Sequence, residues 1–140
     1  MGSRGRAGYG RAGRDAAVVV DGVASLVEGF DPKTNKTKPF TKDSRKSNGL
    51  IFDSKGFLLS CEGADHGGRG IARWNVETGE RTTIVDQYRG MKFNSPNDLW
   101  IDPKGGVYFS DPRYGNREGM ELKGEDVYYL TPNRKTVVRV

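Results

Sequence analysis

The chain has 140 residues, 34% of them hydrophobic, with a formal charge of +5, and no apolar run approaches the roughly 18 residues that cross a bilayer. Its single cysteine excludes an internal disulfide and any multi-cysteine zinc or cluster site. Its single histidine, His66, sits in a Gly-rich loop, and no GxSxG elbow is present, which sets aside Ser/His/acid catalysis.

Residues 1–14, MGSRGRAGYGRAGR, space Arg4, Arg6, Arg11 and Arg14 with glycine and alanine and read as a disordered tail. Removing those four arginines from the total leaves +1 for residues 15–140, so the basic balance belongs to the tail. Such a tail can hold a polyanion by counterion release. No basic surface interleaved with aromatics follows it, and neither a nucleic-acid nor a membrane partner is expected. The apolar stretch Ala16 to Val20 is broken by Asp21 and is shorter than a secretory core. The compartment stays open, with the cytoplasm as the default expectation and periplasm or secretion the alternatives if the true start is missing. Residues 1–24 are read as tail and lead-in, and residues 25–140 as the folded part.

From Ser25, SLVEGFDPKTNKTKPF gives two strand-like runs around a turn. NGLIFDSKGFLLSCEG, from Asn48, is an apolar run, an Asp-x-Lys-Gly turn and a second apolar run, which is the grammar of a β-hairpin. IARWNVETGERTTIV, from Ile71, adds a second hairpin. The pattern then recurs: NDLWIDPKGGVYFSDP from Asn97 matches the first hairpin without a gap at an offset of 49, and VYYLTPNRKTVVRV from Val127 matches the second. Leu50 falls on Leu99, Asp53 on Asp102, Gly56 on Gly105, Cys61 on Ser110 and Glu62 on Asp111. Cys61 therefore reads as a small packing residue. The segment from Ser25 matches the outer hairpin at Ile71, Phe30 falling on Trp74. Strand units at a period of about 40 to 50 residues predict an all-β propeller. Here they amount to about two blades plus an outer hairpin whose inner strands are lost. The reading further expects unpaired edges, half-covered apolar faces at Trp74 and Trp100, and self-association through them.

Alternating strand directions sort the connections onto two ends. The Asp-x-Lys-Gly turns, VETGE and TPNRK gather at one end. The long connections, TKDSRKSN, EGADHGGRG, DQYRGMKFNSPND and DPRYGNREGMELKGED, gather at the other, where binding groups are usually carried. Asn48 and Asn97 each begin an innermost strand on the long-loop end, so both amides should face a shared channel mouth. An amide oxygen suits a hard cation such as Ca²⁺. The plainer alternative is that Asn97 and Asp98 cap their loop through local hydrogen bonds.

NSPNDLWIDPKGGVYFSDPRYG, Asn94 to Gly115, closely resembles the signature of the gluconolactonase, senescence-marker and luciferin-regenerating family, and the likeness extends from about Leu26 to Val140. The resemblance implies a six-bladed propeller holding one divalent cation, Ca²⁺ ahead of Zn²⁺, and hydrolysis of sugar lactones. Carried onto this chain, it makes Asn97 the metal and substrate position. Asp98 and Asp111 become catalytic candidates and Tyr114 a candidate substrate contact; Glu62, which matches Asp111 across the repeat, and Asn48, which begins an inner strand at the same end, join it as candidate substrate contacts. The acidic ligand expected on the family's first inner strand has no counterpart upstream of Leu26, and the later ligands would lie in blades beyond Val140. A fragment that is inactive alone, or that serves as a non-catalytic binding surface, is the alternative reading.

Overall fold

The computed structural model describes residues 17–21 and 26–140, with side chains from residue 26 onward. The Arg/Gly tail lies outside the described residues. Thirteen strands are present among them. The first sheet is β1 (Ala17–Asp21), β2 (Leu26–Asp31) and β3 (Lys36–Thr41), in that order. The second is β4 (Ser47–Phe52), β5 (Leu58–Glu62), β6 (Gly70–Trp74) and β7 (Arg81–Val85). A two-stranded ribbon, β8 (Gln87–Tyr88) and β9 (Met91–Lys92), precedes the third sheet, formed by β10 (Leu99–Ile101), β11 (Val107–Ser110), β12 (Val127–Leu130) and β13 (Val137–Arg139). All pairings are antiparallel between sequential strands, as in propeller blades.

The lead-in expected up to residue 24 thus contains a strand. β1 pairs with β2 over Ala17↔Phe30 to Asp21↔Leu26, so the first blade has three strands in place of a bare outer hairpin. Its run of three valines is the β-branched composition that suits a strand.

The 49-residue repeat is exact in register. Ile51 faces Leu59 in the second sheet, and Trp100 faces Tyr108 in the third. Each hairpin closes in the same way. Asp53 Oδ1 accepts the N–H groups of Lys55 and Phe57 at 2.9 Å, while Asp102 Oδ1 accepts those of Lys104 and Gly106 at 2.8 and 2.9 Å. Gly56 and Gly105 hold φ of 83° and 89°, a region that disfavours any side chain.

Period-2 alternation divides each sheet into two faces. Leu58 and Trp74 point toward the first sheet and pack with Val27 and Leu50, and Phe40 meets the Trp74 ring edge-on at 5.6 Å. Trp74 is therefore buried, contrary to the half-covered face expected for it, because the first sheet covers it. Its indole N–H donates to Ser60 Oγ at 3.0 Å. Leu59, Cys61 and Ile71 point the other way, into a core with Phe93, Val107, Phe109, Tyr128 and Leu130. Phe93 crosses Phe109 edge-on at 5.0 Å. The far face of the third sheet carries the cross-strand row Trp100, Tyr108, Tyr129 and Val138. No described sheet covers it, and Trp100 is 55% exposed.

The two faces of the third sheet predict opposite sensitivities. Phe109→Ala should lower the unfolding free energy by about 3–5 kcal/mol. Val138→Ala, on the uncovered face, should change it by no more than about 0.5 kcal/mol. Equal losses in urea denaturation would contradict the assignment of faces.

Candidate functional site

At the long-loop end, β4 leaves its ladder early. Ser47 pairs with Glu62 and Leu50 with Ser60, and the irregularity between them frees Asn48 and Gly49 from β5. Gly49 turns its N–H to the next sheet and donates to the Asn97 carbonyl at 2.7 Å. Only glycine permits that approach: a Cβ there would stand 2.8 Å from the Asn97 carbonyl oxygen and 2.8 Å from Asp98 Cα. The Asn48 side chain follows, its Nδ2 donating to Asn97 Oδ1. The two amides expected at a shared mouth are thus in direct contact.

Asn97 is held from behind as well as across. Its N–H donates to the Ser110 carbonyl at 3.0 Å, and Ser110 N–H donates to the Asp98 carbonyl at 3.0 Å. Asp98 is exposed, and its Oδ1 accepts the N–H of Leu99 at 2.9 Å. Tyr114 is 76% exposed on the neighbouring loop. His66 is exposed and makes no part of this cluster.

Asp111 has a different position from the catalytic one expected for it. It is fully buried, and its two oxygens accept the N–H groups of Asn94 and Ser95, each at 2.8 Å. Burial pushes its carboxyl up to about 6, against the opposing pull of those two N–H groups and of Arg69 and Arg113. Glu62, expected as a substrate contact, is likewise buried. Arg81 grips it at both oxygens, at 2.6 Å each, and Arg45 adds a third contact at 3.2 Å. The equivalent carboxylates of the two blades both brace loops, and neither opens to the mouth.

The sequence reading missed the partners of these braces. Arg113, 8% exposed, donates to three carbonyls: Asn94 at 2.8 Å, Asn116 at 2.7 Å and Glu118 at 2.8 Å. It ties the loop before β10 to the loop after β11. Arg69 reaches the Phe93 carbonyl at 2.7 Å, and Ser95 Oγ accepts the Ala64 N–H at 2.9 Å, joining blade to blade. The available signal was an arginine two residues after Asp111 in the long loop that follows β11.

As a cation site this cluster is partial. Among the described residues no group of three or more His, Cys, Asp or Glu side chains could hold a metal ion. The amides offer neutral oxygens of the right hardness, but one of them already accepts a hydrogen bond from its neighbour. Asn97 fits one position in a shell of six to eight oxygens, and these residues do not make a complete site.

The raised carboxyl of Asp111 gives a pH signature. Its folded value, about 6, lies above its ordinary value of 3.8, so the folded chain holds this proton more tightly. The stability linked to it is present below about pH 4 and is lost as pH rises through about 6. Urea midpoints should fall across that window, and Asp111→Asn should flatten the fall. An identical slope in the variant would contradict the assignment.

A sequence model of the SMP-30/gluconolactonase/LRE-like region matches residues 11–140. A gluconolactonase of Zymomonas mobilis is 40% identical over 92 residues, covering 62% of this chain and 25% of that protein. The solved structure of a gluconolactonase from Xanthomonas campestris superimposes with a TM-score of 0.79 at 30% identity, over 89% of this chain and 43% of that one. A protein of unknown function from Bacteroides caccae shares the fold, with a TM-score of 0.67 at 19% identity, over 89% of this chain and 45% of its own. The chain thus spans about a quarter of the curated relative and less than half of these two solved structures.

Proposed function

We propose that this chain, which belongs to the SMP-30/gluconolactonase/LRE-like family, supplies the Asn97 rim of a six-bladed ring that hydrolyses sugar lactones with the help of a divalent cation. The observation that carries this reading is the contact between Asn48 and Asn97, made across two blades at the mouth where the long loops meet. Water adds to the lactone carbonyl carbon, the ring C–O bond breaks, and the ring oxygen leaves with a proton. A cation, Ca²⁺ ahead of Zn²⁺, would supply Lewis-acid polarisation of that carbonyl. In this reading Asn97 would be one ligand, the others coming from outside the described residues.

The chain's own residues take the following parts in this reading. The Asn97 side-chain amide, held by Asn48 on a backbone anchored to Ser110, orients the lactone and loses little freedom on binding. Asp98, the exposed carboxylate beside it, directs the water through Oδ2. Tyr114 covers a face of the sugar. Asp111 and Glu62 act as positioning residues, holding the loops that carry these groups.

The test is a chimera in which this chain replaces the matching 43% of the Xanthomonas enzyme. It should hydrolyse gluconolactone, lose activity to EDTA and regain it with Ca²⁺. Asn97→Ala should lower kcat/KM by about 10- to 100-fold. A folded chimera whose turnover ignores both chelator and Asn97 would sink this reading.

A second reading, a non-catalytic binding surface, is favoured by the uncovered row at Trp100, Tyr108 and Val138. Such a face promotes self-association. Sedimentation of the isolated chain should show concentration-dependent oligomers that Trp100→Ser reduces. A monomer at all concentrations would remove this reading.

A further inference from the structure

The short-turn end holds a cleft of about 590 Å³ between the second and third blades. Four cationic side chains line it: Lys55, Arg73, Lys104 and Arg134. Two carboxylates oppose them, and both are largely committed. Asp53 and Asp102 each spend Oδ1 on two turn N–H groups, and Asp102 Oδ2 accepts the Tyr129 hydroxyl at 2.8 Å.

The guanidiniums are left short of acceptors. Arg73 stacks over the Phe57 ring, 3.4 Å from its centroid, and its Nε lies 3.7 Å from Asp53 Oδ2, an ion pair too long for a hydrogen bond, so this buried N–H has no hydrogen-bond partner. Arg134 Nη1 is a second one. The two arginines lie within electrostatic reach of each other, and burial holds the Arg134 guanidinium below its ordinary value. An unmade buried hydrogen bond costs about 1–3 kcal/mol, more for a charged group. Both guanidinium side chains line the one cleft, and an oxyanion there would accept from their forks while its charge offsets their repulsion.

We infer that this cleft, at the end of the blades opposite Asn97, is a binding site for a phosphate group, with Arg73 and Arg134 as its donors and Lys55 and Lys104 at its rim. The repeat accounts for its location. Two copies of the Asp-x-Lys-Gly turn bring one lysine each to the same cleft, and TPNRK brings Arg134 to meet Arg73 from the next blade.

Inorganic phosphate and glucose 6-phosphate are the probes, titrated at constant ionic strength, with glucose as the uncharged control. Phosphate should bind saturably and raise the thermal midpoint above that in chloride. Arg73→Gln and Arg134→Gln should each weaken it about ten-fold or more. Arg134→Lys, which keeps the charge without the fork, should weaken it less. Arg139→Gln, whose side chain pairs with Asp126 elsewhere, should have no effect. Tighter binding of glucose 6-phosphate than of phosphate assigns the cleft to a phosphomonoester, and the reverse assigns it to the free anion. No thermal shift, no saturation, or equal affinity in Arg134→Gln would overturn the proposal. Should that variant fail to fold, the wild-type thermal shift decides.

Discussion

One hydrogen bond organises the long-loop end: the Gly49 N–H reaching across to the Asn97 carbonyl. A strand that completed its ladder would keep its polar groups within its own blade. The irregularity between Ser47 and Leu50 releases two residues from that duty and makes them the link to the next blade. Everything at the mouth follows from this, including the contact of the two amides and the backing of Asn97 by Ser110. A backbone bond carries the link, so its geometry is set by the packing of whole sheets and hardly at all by side-chain rotamers.

The two ends of the blades solve different electrostatic problems. At the long-loop end, buried carboxylates are surrounded by donors: Glu62 by Arg45 and Arg81, and Asp111 by two backbone N–H groups with Arg113 nearby. Removing one partner of such a buried pair is more damaging than never having built it. At the short-turn end the balance reverses, with cations in excess and carboxylates already satisfied by the turns. The same repeat unit generates both ends, since Asp53 and Glu62 lie at opposite ends of one hairpin.

Much of this was legible in the sequence. The 49-residue offset, two matching Asp-x-Lys-Gly turns and period-2 apolar runs are local signals, and they specified the blades and the register of both inner hairpins. That Asn48 and Asn97 begin inner strands at the same end followed from strand order, whereas their direct contact did not. What stayed hidden depended on neighbours that pattern reading cannot see. Trp74 and Trp100 occupy strands of similar apolar character, and only the presence of a covering sheet separates the buried ring from the exposed one. Glu62 and Asp111 read as polar groups near a mouth, whereas their burial depends on arginines 17 to 19 residues away for the first and on the fold of the NSPND loop for the second. β1 was overlooked because its short valine run was weighed only as an export signal.

The lone thiol also has a use that its packing creates. Cys61 lies wholly buried between the second and third blades, and the loss of solvent, with nearby carboxylates behind it, raises its ionisation well above the ordinary range. It is inert to alkylating reagents while those sheets stay together and reactive once they part. The rate at which a maleimide consumes it under native conditions therefore reports the opening of that seam, as a frequency where labelling outpaces reclosing and as a population where it does not, so the chain contains its own gauge of inter-blade breathing.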